Sequence, residues 1–169
     1  MNVVVVAGNP KPASRTAAAG MLLAERLFPG TAPELLDVVT LGPGLLGWGD
    51  PAVKEAIEKT TAADAVIVAS PTFKASYTGL LKLFLDQFDT GTGLAGVVAV
   101  PLMLGAGPAH FMAPDLLLRP VLSELGAICP AQGLYLIDKT YAEAPALQAW
   151  VERWAPAVHA LTAVKGALA

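Results

Sequence analysis

Three short segments carry the groups that could do chemistry. The first is Gly8-Asn9-Pro10-Lys11-Pro12-Ala13-Ser14-Arg15-Thr16, which follows an apolar run and opens helix-forming sequence. It gathers one amide, two hydroxyls and two cations at a helix start. First-turn backbone N–H groups point outward there and the helix dipole favours negative charge, so the segment suits a phosphate dianion. It reads equally well as a plain turn capped by Ser14 or Thr16, and neither GxxxxGK[ST] nor GxGxxG is present. The second segment, 70–79, offers polar backbone, the Phe73 ring and Lys74, which could grip a flat heteroaromatic ligand. The alternative is that Phe73 and Tyr77 pack beneath the loop. The third, Leu104-Gly105-Ala106-Gly107-Pro108-Ala109-His110, has glycines that admit close backbone approach to a ligand, or that simply make a turn. His110 stands there as a proton donor, a cap or a surface group. No Ser/His/Asp or Cys/His arrangement accompanies these segments. The single cysteine, Cys129, makes no internal disulfide, and with two histidines the chain has no thiolate zinc set. It reads as a buried small hydrophobe.

The segments need a frame. Residues 2–7, 64–70 and 95–104 are continuous apolar runs, the pattern of parallel strands covered on both faces. Residues 34–40 are more amphipathic and suit an edge. Residues 128–137 are interrupted by Pro130 and Gly133 and suit the other edge. Between them lie helical segments: 15–28, 51–61 with Asp50 as N-cap and Pro51 in the first turn, 78–88, 109–125 and 144–165, the last bent near Pro156. Residues 41–50 are a Gly-rich loop. Strand and helix alternate five times, which predicts an α/β fold with right-handed crossovers. Five strands favour a flavodoxin-like three-layer sandwich with parallel order 2-1-3-4-5. Ligands in such sheets sit outside the carboxyl ends of the strands, where all three segments fall.

With 169 residues, 54% hydrophobic and 15% charged, the chain is short of the roughly 25% charge of ordinary soluble proteins, and its mean hydropathy is +0.57. It reads as one domain, 1–169, with enough core to fold and no disorder. A net charge of −3 argues against nucleic acid as a partner. Residues 90–114 hold no Asp, Glu, Lys or Arg and are long enough to span a bilayer, but three prolines and five glycines interrupt them. They read as a buried strand and a loop, so no membrane association is expected. No basic segment or cleavage pattern precedes the first strand, and a cytoplasmic setting is the expectation.

Residues 70–86, SPTFKASYTGLLKLFLD, resemble the SPxYKAxYxGxLKxxLD signature of the NAD(P)H-dependent FMN reductases. Residues 8–16 are similar to that family's GSPRxxSRS loop, and 105–127 to its third loop and following helix. The likeness reaches residue 137 and is nearest to reductases of two-component alkanesulfonate monooxygenase systems. It implies FMN phosphate held by Asn9, Lys11, Ser14 and Thr16, with Arg15 beside them. It implies an isoalloxazine bordered by Pro71, Thr72, Phe73 and Lys74, its pyrimidine edge by Gly105 and Ala106, and His110 close by. NADPH or NADH would be the hydride donor, and no side chain would act as acid or base. Two departures stand out. Asn9 replaces the usual Ser, and Leu116 stands where the sulfonate-linked reductases carry a tyrosine associated with a helix bulge and exchangeable flavin. FMN as leaving substrate and FMN as retained group therefore both stay open.

The reading is an enzyme that passes hydride from nicotinamide to FMN and supplies reduced flavin to a partner monooxygenase. A second reading keeps FMN bound and reduces quinones, azo dyes or metal oxyanions. A flavodoxin-type electron carrier is the non-enzymatic alternative, but carriers are usually strongly acidic and use a T/S-x-T-G-x-T loop absent here. Phe84, Phe88, Phe111, Met112 and residues 116–118 exceed what a small core needs. They predict burial against other copies, as a homodimer or homotetramer.

Overall fold

A computed structural model of the protein describes residues 1–168; Ala169, the last residue of the expected domain, lies outside them. Five parallel strands, β1 (Val3–Ala7), β2 (Glu34–Asp37), β3 (Ala65–Pro71), β4 (Val98–Gly105) and β5 (Leu134–Ile137), pair in the order β2-β1-β3-β4-β5. Every residue of β1, β3 and β4 is buried, as their uninterrupted apolar sequences require.

Alternate strand residues serve opposite faces. Val3, Val5, Ile67, Leu102 and Leu104 pack under α1 (Arg15–Leu27) and α5 (Pro145–Leu168), against Leu23, Leu27, Phe28, Trp150 and Val158. Val4, Val6, Val66, Val68 and Met103 face α2 (Pro51–Ala62), α3 (Gly79–Leu85) and α4 (Arg119–Glu124), against Val53, Leu81, Phe84, Leu118 and Leu122. The result is the expected three-layer sandwich. Asp50 caps α2 through the amides of Ala52 and Val53, with Pro51 at the first helical position. Among the described residues no helix is long and apolar enough to cross a membrane.

The structure corrects several boundaries. The second strand ends at Asp37, and Val38–Leu46 coils into 3-10 turns instead of continuing as strand and then loop. The third helix stops at Leu85. The fifth strand keeps only four residues, because Pro130 lacks an amide and Gly133 packs its Cα against Pro114, where a Cβ would not fit.

The expected helix over 109–125 is three pieces: a 3-10 turn at Pro108–His110, a π-helical turn at Pro114–Leu118, and α4. Pro120 supplies the physical reason. In an α-helix its ring would collide with the carbonyl four residues back, that of Leu116, and it has no N–H to offer. The wider turn, closed by the Arg119 amide on the Pro114 carbonyl, avoids the collision. The surplus apolar residues also divide. Phe84, Phe88 and Leu118 belong to the core, whereas Phe111, Met112, Leu116 and Leu117 are exposed. Cys129 is half-buried rather than fully buried, and desolvation pushes its thiol pKa up, against the pull of the Arg119 charge.

Candidate active site

The carboxyl ends of β1, β3 and β4 bring the three segments together. Gly8 leaves β1 with its amide still bonded to the Ala69 carbonyl at 2.8 Å. A Cβ at Gly8 would overlap the Leu81 side chain, so glycine is what lets this loop lie against α3. Asn9 then organises the turn: its Oδ1 accepts the Lys11 amide at 2.9 Å and its Nδ2 donates to Thr16 Oγ1 at 3.0 Å. Ala13 adopts φ 49°, a left-handed conformation uncommon for a residue with a Cβ, and its amide is held by Asp37 Oδ2 at 3.0 Å. Asp37 reaches it because the parallel register sets Asp37 beside Ala7.

Ser14 is the N-cap of α1, its hydroxyl accepting the Ala17 amide at 3.2 Å. Among the described residues, the amides of Ser14, Arg15 and Thr16 have no hydrogen-bond partner. They stand at the positive end of a 13-residue helix. Lys11 is exposed at its edge. The Arg15 guanidinium pairs with Asp138 Oδ2 at 2.9 Å, tying this helix start to the far end of β5.

The second segment is a tight hairpin. Phe73 and Ser76 exchange backbone hydrogen bonds of 2.8 and 3.1 Å across the two-residue tip Lys74-Ala75, whose φ angles are 52° and 69°. Two consecutive left-handed residues with side chains store strain, and such strain gathers at binding sites. Ser70 braces the entry: its hydroxyl, fully buried, bonds the Pro71 carbonyl and accepts the Thr78 amide. Thr78, 3% exposed, joins the first two segments, donating to the Gly8 carbonyl at 2.6 Å and capping α3 at the Leu81 amide at 3.1 Å. Tyr77 packs half-buried against the core.

In the third segment Gly105 ends β4 and its carbonyl accepts the Asp138 amide at 2.9 Å. The Tyr135 side chain rises from β5 and its hydroxyl donates to the Gly107 carbonyl at 2.8 Å. A Cβ at Gly105 would overlap that hydroxyl. Among the described residues the amides of Ala106 and Gly107 have no partner.

Thr72, Lys74, Gly105, Ala106, His110 and Tyr135 line a cavity of about 340 Å³ between the second and third segments. That volume lies at the low end of small-molecule sites. Pro71 is buried in β3 and Phe73 is half-exposed; neither lines it. Thr72 Oγ1 is buried there with no partner, although its amide is bonded to the Leu104 carbonyl at 2.6 Å. A buried hydroxyl left unpaired costs free energy that a ligand's polar edge would offset. Unpaired N–H groups at a helix start, an unpaired buried hydroxyl and free amides along a narrow cavity could receive an anion and the polar edge of a flat ring.

Beside this cavity, Phe111 (60% exposed), Met112, Leu116 (64% exposed) and Leu117 wall a smaller apolar one of about 220 Å³. A larger cavity, about 430 Å³, lies at the opposite end of the sheet among Phe28, Pro29, Asp64, His159 and Thr162. Its polar groups are already engaged: Asp64 accepts the Asn2 amide, a His159 ring nitrogen bonds the Leu27 carbonyl, and Thr162 bonds its own helix. It has little left to hold a ligand. Asp37, Thr78, Tyr135 and Asp138 were not foreseen from sequence, because each acts through a backbone group or an ion pair far along the chain.

Residues 1–142 match the profile of the family described as NADPH-dependent FMN reductase. An FMN reductase (NADPH) of Escherichia coli K12 is 35% identical over 143 residues, covering 82% of this chain and 74% of its own. An enzyme of the same name from Pseudomonas putida is 35% identical over 152 residues, covering 85% and 75%. The crystal structure of the NADH:FMN oxidoreductase EMOB in its apo form superposes with a TM-score of 0.82 at 30% identity, covering 96% of this chain and 89% of that one.

Proposed function

The chain belongs to the NADPH-dependent FMN reductase family, and from that premise we propose how its three loops divide the work. It is an NAD(P)H:FMN oxidoreductase. The phosphate is assigned to the amides of 14–16 with Asn9, Lys11, Ser14, Arg15 and Thr16 around them. The isoalloxazine is assigned to the cavity of Thr72, Lys74, Gly105, Ala106 and His110, with Pro71 and Phe73 at its border. When bound, the flavin accepts a hydride from the nicotinamide. The protein's part is to hold the ring and to aim N–H dipoles at the pyrimidine edge, where reduction places negative charge. No side-chain acid or base is needed for that step.

The observation that carries the reading is the pairing of an open helix N-terminus with an unpartnered Thr72 hydroxyl in the adjoining cavity. We read FMN as a leaving substrate that feeds a separate flavin-dependent monooxygenase. The apolar wall of Phe111, Met112, Leu116 and Leu117 is assigned to a second copy, as a homodimer or homotetramer. The chain acts as one domain, 1–169, in the cytoplasm.

Anaerobic mixing of the protein with FMN and NADH or NADPH should bleach the visible flavin band. Failure with both nucleotides would end the reductase reading for this site. Gel filtration of the FMN-loaded protein should return apoprotein at a multiple of the 17.4 kDa chain mass. Co-eluting flavin would favour the retained-FMN reading, and a monomer at micromolar concentration would remove the assignment of the apolar wall. A sharper check uses Lys11→Ala. Losing one charged phosphate contact should weaken FMN about tenfold or more while leaving riboflavin, which has no phosphate, unchanged. Equal weakening of both would place the phosphate elsewhere.

A further inference from the structure

Tyr135 has no place in the sequence motifs, yet several observations converge on it. It lies on β5, opposite Met103 in the parallel register with β4, and lines the flavin cavity. Its hydroxyl donates to the Gly107 carbonyl at 2.8 Å. The next residue is Pro108, so the 107–108 peptide has no N–H. Its carbonyl is the one polar handle by which that peptide can be oriented, and Tyr135 holds it. Gly105 clears the space through which the phenol passes, since a Cβ there would overlap the hydroxyl. The Gly105 carbonyl is pinned separately by the Asp138 amide. The loop is thus fastened at both ends, and the two amides between the fastenings, Ala106 and Gly107, are free.

We infer that Tyr135 is a positioning residue that sets the redox balance of the bound flavin: with the Gly105 carbonyl held by Asp138, its hold on the Gly107 carbonyl completes the clamp that keeps the Ala106 and Gly107 amides toward the pyrimidine edge. The inference rests on the FMN reading of the cavity. Hydride transfer moves two electrons and one hydrogen from the nicotinamide to flavin N5. The nicotinamide becomes NAD(P)⁺, and the added negative charge settles at the N1 and O2 end of the ring. Fixed donors there favour the reduced form over the oxidised one, because they gain more from the added charge and need no reorganisation when it arrives. A donor pair free to swing would lose that difference.

The test is Tyr135→Phe, which keeps the ring and removes only the hydroxyl. Dissociation constants are measured anaerobically for oxidised and for chemically reduced FMN, with thermal denaturation as the control for folding. Reduced FMN should weaken about tenfold and oxidised FMN by less than about threefold. Equal weakening of both forms, or of neither, overturns the positioning role. Wild-type protein that binds FMN in neither form would instead overturn the FMN reading itself. A second comparison covers a variant that folds poorly. Gly105→Ala should cost less FMN affinity in the Tyr135→Phe background than in the wild type, since the overlap with the hydroxyl is gone and only the ring Cζ, at 2.7 Å, still crowds the new Cβ. Equal costs would show that the phenol is not what shapes the loop.

Discussion

Thr78→Val is expected to destabilise the protein by about 3 kcal/mol, because one buried hydroxyl serves two backbone groups that have no other partner. The donor to the Gly8 carbonyl and the acceptor for the Leu81 amide disappear together, while the new methyl fits the old volume. For a chain of this length that is a fall in Tm of roughly 6–12 °C. The effect on binding should exceed what general loosening gives. Gly8 begins the loop proposed to hold the phosphate, and Thr78 is the peg holding it against the start of α3, so FMN should weaken about tenfold as the loop is released. Thr78→Ser retains both hydrogen bonds and should restore most of the stability and affinity. A valine variant melting within about 2 °C of the wild type would show that water replaces the hydroxyl and that the peg is dispensable.

The second large effect concerns Arg119. Its guanidinium bonds Asp115 Oδ1 through Nε at 2.9 Å and Nη2 at 2.5 Å, and reaches the carbonyls of Cys129 and Ala131. Asp115 Oδ1 also accepts the Gly133 amide at 2.8 Å. The two side chains are 29% and 16% exposed, so solvent screens the pair only in part. Arg119→Met leaves the carboxylate with one backbone donor and two carbonyls with none, at a cost of about 2–4 kcal/mol. Asp115→Asn removes the charge that made the loss expensive, so the double variant should be more stable than the sum of the two singles implies. Urea denaturation of the four proteins measures this directly. Strict additivity would mean that packing, not the ion pair, fastens the π-helical turn to residues 129–133. Because that turn carries Leu116 and Leu117, the single variants should also weaken the self-association proposed for the apolar wall.

The frame was legible where local sequence and tertiary demand agree. Three unbroken apolar runs, each followed by a loop and a helix, leave few alternatives to a central parallel sheet, and Asp50-Pro51 announces a helix start by cap chemistry alone. Residues 109–125 misled because apolar spacing there suggests one helix, whereas Pro120 acts on a carbonyl a full turn earlier and forces a wider coil. Residues 38–46 misled because a β-branched pair, Val38-Val39, extends the strand signal past the point where Asp37 turns aside to serve Ala13. The loops of the candidate site could be located from their place after the strands and from the family signature at 70–86. Their braces could not. Asp37, Tyr135 and Asp138 act on residues 24, 28 and 123 positions away, through partners with no sequence signal of their own.

The sheet's two margins bear on how so apolar a chain can resist strand-to-strand association. Both edge strands are only four residues long, whereas the three interior ones have five to eight. At one margin β2 carries Glu34, ion-paired with Lys59 at 3.0 Å, and ends in Asp37. At the other, a proline-interrupted approach precedes β5. Short, charged or interrupted edges offer a poor template for strand addition by another molecule. The chain's most amyloid-like sequences, VVVVA and AVIVAS, are locked in the middle of the sheet with both flanks occupied. Aggregation by strand addition therefore requires opening of the sheet rather than fraying at its edges, and the rate of that route should follow the population of unfolded chain.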